Sequence, residues 1–362
     1  MILLYLIFVF LVLRFTVTLF NFISNPKLTP TVRRYPDLVS VLIPVRNNGS
    51  SILRLLTSIK QQDHGNYEVL IYDYGSQDNT SDVCSKFCLE NERFRMLPQK
   101  DLPVGWQRKN FASHQLAKES AGDYLMFLDA RTSVTDGLVS SAIHRMKQLD
   151  LSLLSLFADQ EMRSFGERLV IPLQHYLLLN LLPLRLVRLS QNASFAAASG
   201  QFMMFDAPAY RINLWHETVK GRSPEETEIV RLVKGYGERA ETLLGNGFIS
   251  SRPGQNFGDA VNELSSNILP GFSNSVIALL LYVFLVVIAP VAIYTYLDLE
   301  LLFFAITLIV LSRIMISFSG RQNPWFNVLL HPLQMAVLAL ASVLAIQKYL
   351  MKQSVWRQRR KL

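Results

Sequence analysis

"DYLMFLDART", residues 123–132, is an apolar run that ends in Asp129, Ala130 and Arg131. A short apolar run bounded by polar residues predicts a buried strand over 123–130 that delivers a carboxylate at its carboxyl end. Such a carboxylate holds a metal-bound diphosphate when a second one follows two residues later. Arg131 stands in that second place. Asp129 is therefore the single candidate metal ligand, for Mn or Mg, and a metal-independent route through the Arg131 guanidinium stands beside it.

Three further runs surround this strand. "VSVLIPV" (39–45) and "YEVLIYD" (67–73) predict buried strands, and "FRMLP" (94–98) a shorter one. Between them, "SILRLLTSIKQQ" (51–62) and the stretch from "YGSQDNT" through Cys88 carry helical spacing. Strands separated by helices of this length predict an α/β domain with a mostly parallel sheet and helices on both faces. Ligands of such folds collect at the carboxyl ends of the strands, where Pro44–Asn48, Asp73–Asp78 and Asp129–Arg131 fall. "SGQFMMFDAPAY" (199–210) returns to strand and turn, and "PEETEIVRLVKGYG" (224–237) is an amphipathic helix opened by Pro224. "PVRNNGSS" lacks the Gly-x-Gly-x-x-Gly turn of a dinucleotide fold.

The 362 residues are half hydrophobic, and the apolar residues gather at the ends. Residues 2–23, broken only by Arg14, and the runs 276–296, 299–318 and 326–346 approach the roughly 20 residues that cross a bilayer. The first run has no basic start and no small-residue cleavage site, so it predicts an uncleaved anchor over 1–24. The net charge of +8 includes Arg33 and Arg34 after the first run, and Arg357, Arg359, Arg360 and Lys361 in the basic tail 351–362. Basic residues beside spans lie on the cytoplasmic side, which predicts a multi-pass inner-membrane protein with its 38–270 domain in the cytoplasm. Keeping the tail inside as well requires one segment of the 275–350 membrane region, 326–346 with its His331–Pro332 step, to enter without crossing. Residues 169–189, with two prolines and Arg185 and Arg188 at one end, predict an interfacial helix. Cys84 and Cys88 read as reduced residues, since no further cysteine completes a metal site.

Single residues in these loops are ambiguous. Asp73 can bind a base or ribose or simply form a turn, and Gly75, Ser76 and Asp78 read as turn and cap residues. Lys109 can neutralise a phosphate. Glu225 and Glu226 can complement a helix dipole or supply a general base, and His216 with Glu217 shares that ambiguity.

Their order carries more information. The array "VSVLIPVRNN…QQDHGNYEVLIYDYGSQDNT…PVGWQRKN…GDYLMFLDARTSV…SGQFMMFDAPAY…HETVKGRSPEETEIVRLVKGYG" resembles the family 2 glycosyltransferases, and within them the membrane-anchored members of carotenoid and hopanoid lipid pathways. The resemblance implies a GT-A fold and transfer of a sugar from a nucleotide-diphosphate donor. It implies donor-binding roles for Pro44, Arg46, Asp73, Lys109, Asp129 and Arg131, and an acceptor side with Gly200 and Gln201, to which His216 is added. Glu225 and Glu226 match a Glu-Asp pair whose second member is the base, so Glu226 is the candidate for inverting displacement. The membrane ends imply a lipidic acceptor, a carotenoid, hopanoid or similar, and no nucleic acid. Tyr74, Asn48, Arg131 and Ser266 depart from the family pattern by losing charged groups or exchanging their sign. A GT-A protein without turnover, acting as a lipid-binding or assembly partner, is the alternative that these departures leave open.

Overall fold

The computed structural model describes residues 2–252, 254, 256–290 and 299–359, with side chains between Tyr5 and Met351. The side chains of the basic tail lie outside the described residues. The chain forms two units: Pro26–Asp159 with Leu184–Ser251, and Met1–Asn25 with Gln160–Pro183 and Arg252–Leu362. Residues 160–183 and 252–270, which the sequence reading assigned to the catalytic domain, thus group with the apolar ends.

The first unit is built on ten short strands: β1 Val39–Val45, β2 Tyr67–Asp73, β3 Phe94–Met96, β4 Tyr124–Leu128, β5 Thr132–Val134, β6 Leu153–Phe157, β7 Asp159–Gln160, β8 Phe202–Asp206, β9 Ala240–Leu244 and β10 Ile249–Ser251. Seven form one sheet in the order β3-β2-β1-β4-β8-β6-β9, and a small sheet runs β5-β10-β7. The neighbours β3, β2, β1 and β4 are all parallel. β1 and β4 are continuous apolar strings because helices cover both faces of a parallel sheet. β8 is the exception, antiparallel to both β4 and β6. Pro44 lies beyond the β1–β4 ladder, which stops at Leu42 opposite Phe127, so its missing N–H removes no rung there.

Register places the functional edge. Val45 lies opposite Asp73, and Asp129 follows β4, so the loops after three adjacent strands open on one side. The helix Ile52–Lys60 buries Ile52, Leu55, Leu56 and Ile59 against this sheet, the i, i+3, i+4, i+7 stripe of its sequence. At the opposite edge Gly122 lets two chain segments close up. A Cβ there would stand 2.6 Å from the backbone nitrogen of Ser40 and 2.9 Å from the carbonyl oxygen of Leu38. The Gly122 N–H donates to Ser40 Oγ at 2.8 Å, and that hydroxyl donates to Glu68 at 2.6 Å. Cys84 and Cys88 are free thiols, and burial pushes the Cys84 pKa up to about 12.

The stretch 169–189 is three short helices, Phe165–Val170, Pro172–Leu181 and Arg185–Leu189, broken at its prolines. Arg185 and Arg188 face a buried partner, Glu241 of β9. Its carboxylate, fully out of solvent, accepts from Arg145 (2.6 and 2.7 Å), Arg185 (3.3 Å) and Arg188 (3.0 Å).

The second unit is helical. Three of its helices are long and apolar enough to cross a membrane: Tyr5–Ser24, Leu299–Ser319 and His331–Met351. Ile7 and Leu11 pack with Ala305 and Leu308, and Phe8 stacks on Phe304 at 5.8 Å. Asn21 closes the end of the helix Pro172–Leu181 by donating to Leu179 and Leu182 carbonyls. The segment 326–346 is not a loop that turns back. After the short helix Pro324–Leu329, one continuous helix runs from His331 to Arg359. Lys348 fastens that helix alongside Phe257–Gly271, donating to Ser265 Oγ at 2.6 Å and to the Asn262 carbonyl at 3.1 Å. The sharp bend lies elsewhere, 113° between Phe257–Gly271 and Val276–Ile288.

Removing the carboxylate that three arginines share leaves three partly exposed cations without their counter-charge, a change that costs up to about 3 kcal/mol, the low end for a broken buried pair. Glu241→Leu should therefore lower the unfolding free energy of the full chain by that amount in chemical denaturation, and an unchanged midpoint would refute a structural role for the cluster.

Candidate active site

Lys109 begins the exposed end of the helix Arg108–Lys118, and its ammonium reaches both carboxylates at the start of the helix Glu225–Gly235. Lys109 Nζ lies 2.7 Å from Glu225 Oε1 and 2.7 Å from Glu226 Oε1. Asn110, next in the chain, pins the approach to that second helix. Its side-chain amide donates to the carbonyls of Val219 (3.0 Å), Lys220 (3.3 Å) and Arg222 (3.2 Å). The sequence reading passed over Asn110. Its signal was a polar residue on the buried face of an amphipathic helix, which must find partners there.

Gly200 completes the packing. A Cβ on it would collide with Glu226 Oε1 and stand 3.1 Å from Lys109 Nζ, so the carboxylate and ammonium lie directly on the Gly200 backbone. The neighbouring Gln201 side chain is engaged in the scaffold, accepting from Ala158 N and Ser199 Oγ, both at 3.1 Å.

The two glutamates differ in acidity although they share one cation. For Glu226, burial raises the pKa, and repulsion from Glu225 adds to it against the pull of Lys109, with a net rise. For Glu225, burial also raises the pKa, but Lys109 and the hydrogen bonds at its site outweigh that and the net direction is down. Burial by itself lowers the Lys109 pKa, yet Glu226 and Glu225 hold it well above its ordinary value. The trio thus keeps its ammonium charged and divides one acidic and one more basic carboxyl between the pair.

Asp129 stands at the carboxyl end of β4 with Arg131 folded back onto it. The Arg131 backbone N–H and Nε donate to Asp129 Oδ1 at 2.9 and 3.1 Å, and Nη2 reaches Oδ2 at 3.4 Å. Burial would raise the Asp129 pKa. The Arg131 charge and hydrogen bonds, with Lys109 further off, overturn that and depress it. Tyr74 joins the two groups. Burial raises its phenol pKa, and the charges that act on it are those of Lys109, Asp129, Arg46 and Glu225.

Asp73 is buried and serves the loop, with Oδ1 accepting from Gly75 N (3.0 Å), Ser76 N (2.8 Å) and Ser76 Oγ (2.8 Å). Asn47 ties the same loop to the end of β1, its Oδ1 accepting from Gln77 N at 2.8 Å. Pro44 is half-buried in β1 and Arg46 is exposed beyond it. His216 lies buried behind the glutamates rather than on an open face. Its Nδ1 is 2.7 Å from the Tyr210 hydroxyl, its ring is 4.7 Å from Phe127, and burial pushes its pKa down to about 3.

No group of three or more His, Cys, Asp or Glu side chains converges among the described residues. Of the Asp-x-Arg stretch only Asp129 could ligate a cation, and Arg131 already engages both of its oxygens. These residues do not fit a divalent ion held by the protein.

Residues 40–210 match the family Glycosyl transferase family 2. Over 118 residues, 33% of this chain and 38% of the relative, the chain is 26% identical to glycosyltransferase GlyG of Streptococcus pneumoniae serotype 4. It is 27% identical over 148 residues to the dolichyl-phosphate beta-glucosyltransferase of Saccharomyces cerevisiae, covering 38% of this chain and 44% of that protein. The matches thus span less than half the length of these relatives. Among solved structures, the mannosyltransferase PcManGT of Pyrobaculum calidifontis, in complex with GDP-Man and Mn2+, superposes with a TM-score of 0.51 at 14% identity, covering 95% of this chain and 99% of that one. The fold is GT-A, and residues 40–210 are similar to the family 2 glycosyltransferases.

Adding one methyl group at Gly200 tests the packing of the trio. Overfilling a tight site costs about 1–3 kcal/mol. Gly200→Ala should lower stability by that amount in thermal unfolding, and unaltered stability would show that Glu226 does not rest on this backbone.

Proposed function

We propose that this protein is a membrane-bound, inverting glycosyltransferase that moves a sugar from a nucleoside-diphosphate donor to a lipidic acceptor. The observation that carries the reading is Lys109 held between Glu225 and Glu226 in a family 2 domain, with Arg131 and Asp129 nearby. Paired carboxyls around a cation suit acid–base work, and Glu226, which matches the second member of the family's acidic pair, is the base.

In the proposed reaction the acceptor oxygen attacks the anomeric carbon as the bond from that carbon to the diphosphate oxygen breaks. Glu226 takes the acceptor proton, and the nucleoside diphosphate leaves with the extra negative charge. Lys109 and the Arg131 guanidinium are the cations that meet that charge, through hydrogen bonds stronger than neutral ones. Arg46 stands at the rim of the same edge. A resident metal has no step in this scheme, because the one aspartate available to it is clasped by Arg131.

Support for a lipidic acceptor comes from the three apolar helices and from the similarity to a dolichyl-phosphate beta-glucosyltransferase. A carotenoid, a hopanoid or another lipid alcohol or carboxyl fits an enzyme at a bilayer surface. Arg33 and Arg34, after the first apolar helix, favour a cytoplasmic site.

Glu226→Gln keeps the shape but cannot accept a proton, and loss of a positioned base costs about 10² to 10⁴ in rate. Transfer by the full chain in detergent, assayed with UDP- and GDP-sugars, should fall by that factor while donor binding persists. Because the base must be ionised, the acid limb of the wild-type rate should lie above the ordinary glutamate range and vanish in Glu226→Gln. Wild-type turnover in the variant would move the assignment to Glu225.

Arg131 gives a separate test. Chelator should leave transfer unchanged, and Arg131→Ala should weaken donor binding by about ten- to a hundredfold, the worth of one charge-assisted hydrogen bond. Loss of activity in chelator would instead make Asp129 a metal ligand in the working enzyme. The clasp on Asp129 also favours a second reading, a GT-A protein without turnover. Donor binding with neither transfer nor hydrolysis across the sugar panel would establish it.

A further inference from the structure

Two arginines are buried in the helical unit. Arg14 lies near the middle of the apolar helix Ile2–Ser24 and is 8% exposed, and Arg313 lies in Leu299–Ser319 and is 1% exposed. Both guanidiniums lie against the same ring, that of Tyr176, with centroid distances of 5.2 Å for Arg14 and 4.7 Å for Arg313. Tyr282 borders the cluster with its ring 5.7 Å from Arg14, and His331 with its ring 5.9 Å from Tyr176.

Their partners are neutral. Arg14 donates to the Tyr176 hydroxyl at 2.5 Å. Arg313 donates to the Asn327 carbonyl at 3.2 Å and to Gln334 Oε1. Among the described residues neither arginine forms an ion pair. Arg14 Nε, the Tyr282 hydroxyl and His331 Nδ1 are buried without a hydrogen-bond partner.

A guanidinium cannot shed its charge and carries five N–H donors, so burial without an anion is costly. Aromatic faces offset part of that cost. Ionisable residues at such positions mark binding sites, and the missing partner here is an anion with several acceptor oxygens. Two guanidiniums against one tyrosine ring, with a buried phenol hydroxyl that lacks a partner beside Arg14, match a phosphate. The helices around them are apolar, which suits a ligand whose remainder is hydrocarbon.

We propose that Arg14 and Arg313 form a binding site for the phosphate of an amphipathic lipid, within the helical unit. A bilayer phospholipid and a lipid-phosphate acceptor share this chemistry, so the site stands whether or not the sugar-transfer reading holds. The bound phosphate would take a place beside the Tyr176 hydroxyl, accepting from Arg14 and Arg313 and from Tyr282.

The test uses the purified full chain in a nonionic detergent, with lipid binding read by native mass spectrometry and by thermal shift. The probes are phosphatidylglycerol, a polyprenyl monophosphate, a neutral diacylglycerol and inorganic phosphate. At least one of the two phospholipids should bind and raise the melting temperature, whereas diacylglycerol and inorganic phosphate should not. The tighter of the two identifies the source. Arg14→Gln and Arg313→Gln should each weaken that binding about tenfold or more, with Arg14→Lys retaining part of it. The proposal falls if wild type treats both phospholipids like diacylglycerol, if inorganic phosphate alone gives the full shift, or if a folded Arg14→Gln binds like wild type. The wild-type comparison decides the matter even if a glutamine variant fails to fold.

Discussion

The ammonium of Lys109 is the contact around which the sheet unit's functional edge is arranged. It joins the helix Arg108–Lys118 to the helix Glu225–Gly235, more than a hundred residues later, and offsets part of the repulsion between two adjacent carboxyls. Gly200 has to be glycine for the three groups to meet, and Asn110 fixes the loop that brings the glutamates in.

Asp129 and Arg131 form the second electrostatic pair. In a two-carboxylate arrangement a divalent cation would supply positive charge at this edge. Here a guanidinium stands in the second position, and its Nε donates to Asp129 Oδ1. A diphosphate with several acceptor oxygens can compete for that guanidinium, because Arg131 is two-fifths exposed on its side chain. Tyr74 sits among both pairs, where its hydroxyl feels Lys109 and Asp129 together.

The helical unit poses the opposite electrostatic problem. In the sheet unit three arginines share the buried Glu241, whereas Arg14 and Arg313 share only a tyrosine ring and neutral acceptors. Polar side chains within this unit otherwise pair with one another, as Thr18 does with Asn180 at 2.9 Å and Asn327 with Gln322 at 2.9 Å. The two arginines stand out as buried cations with only neutral partners.

Strands β1, β2 and β4 were legible in the sequence because local rules govern them: apolar runs, turn residues and the period of the flanking helices all agree. The same rules marked Asp129 as a residue at the end of a strand and 169–189 as a broken helical stretch. Other features depend on distant partners. That His216 would lie buried against Phe127, and that Arg185 and Arg188 would face Glu241, cannot be read from neighbouring residues. The reversed strand β8 arrives after a long helical excursion, which fixes no direction in the sequence. The sequence by itself determined β1 to β4 and the helices between them, since those follow from short-range periodicity. The tertiary structure decided which charges meet, since an ion pair such as Lys109–Glu226 depends on the distance between side chains and not on their separation along the chain.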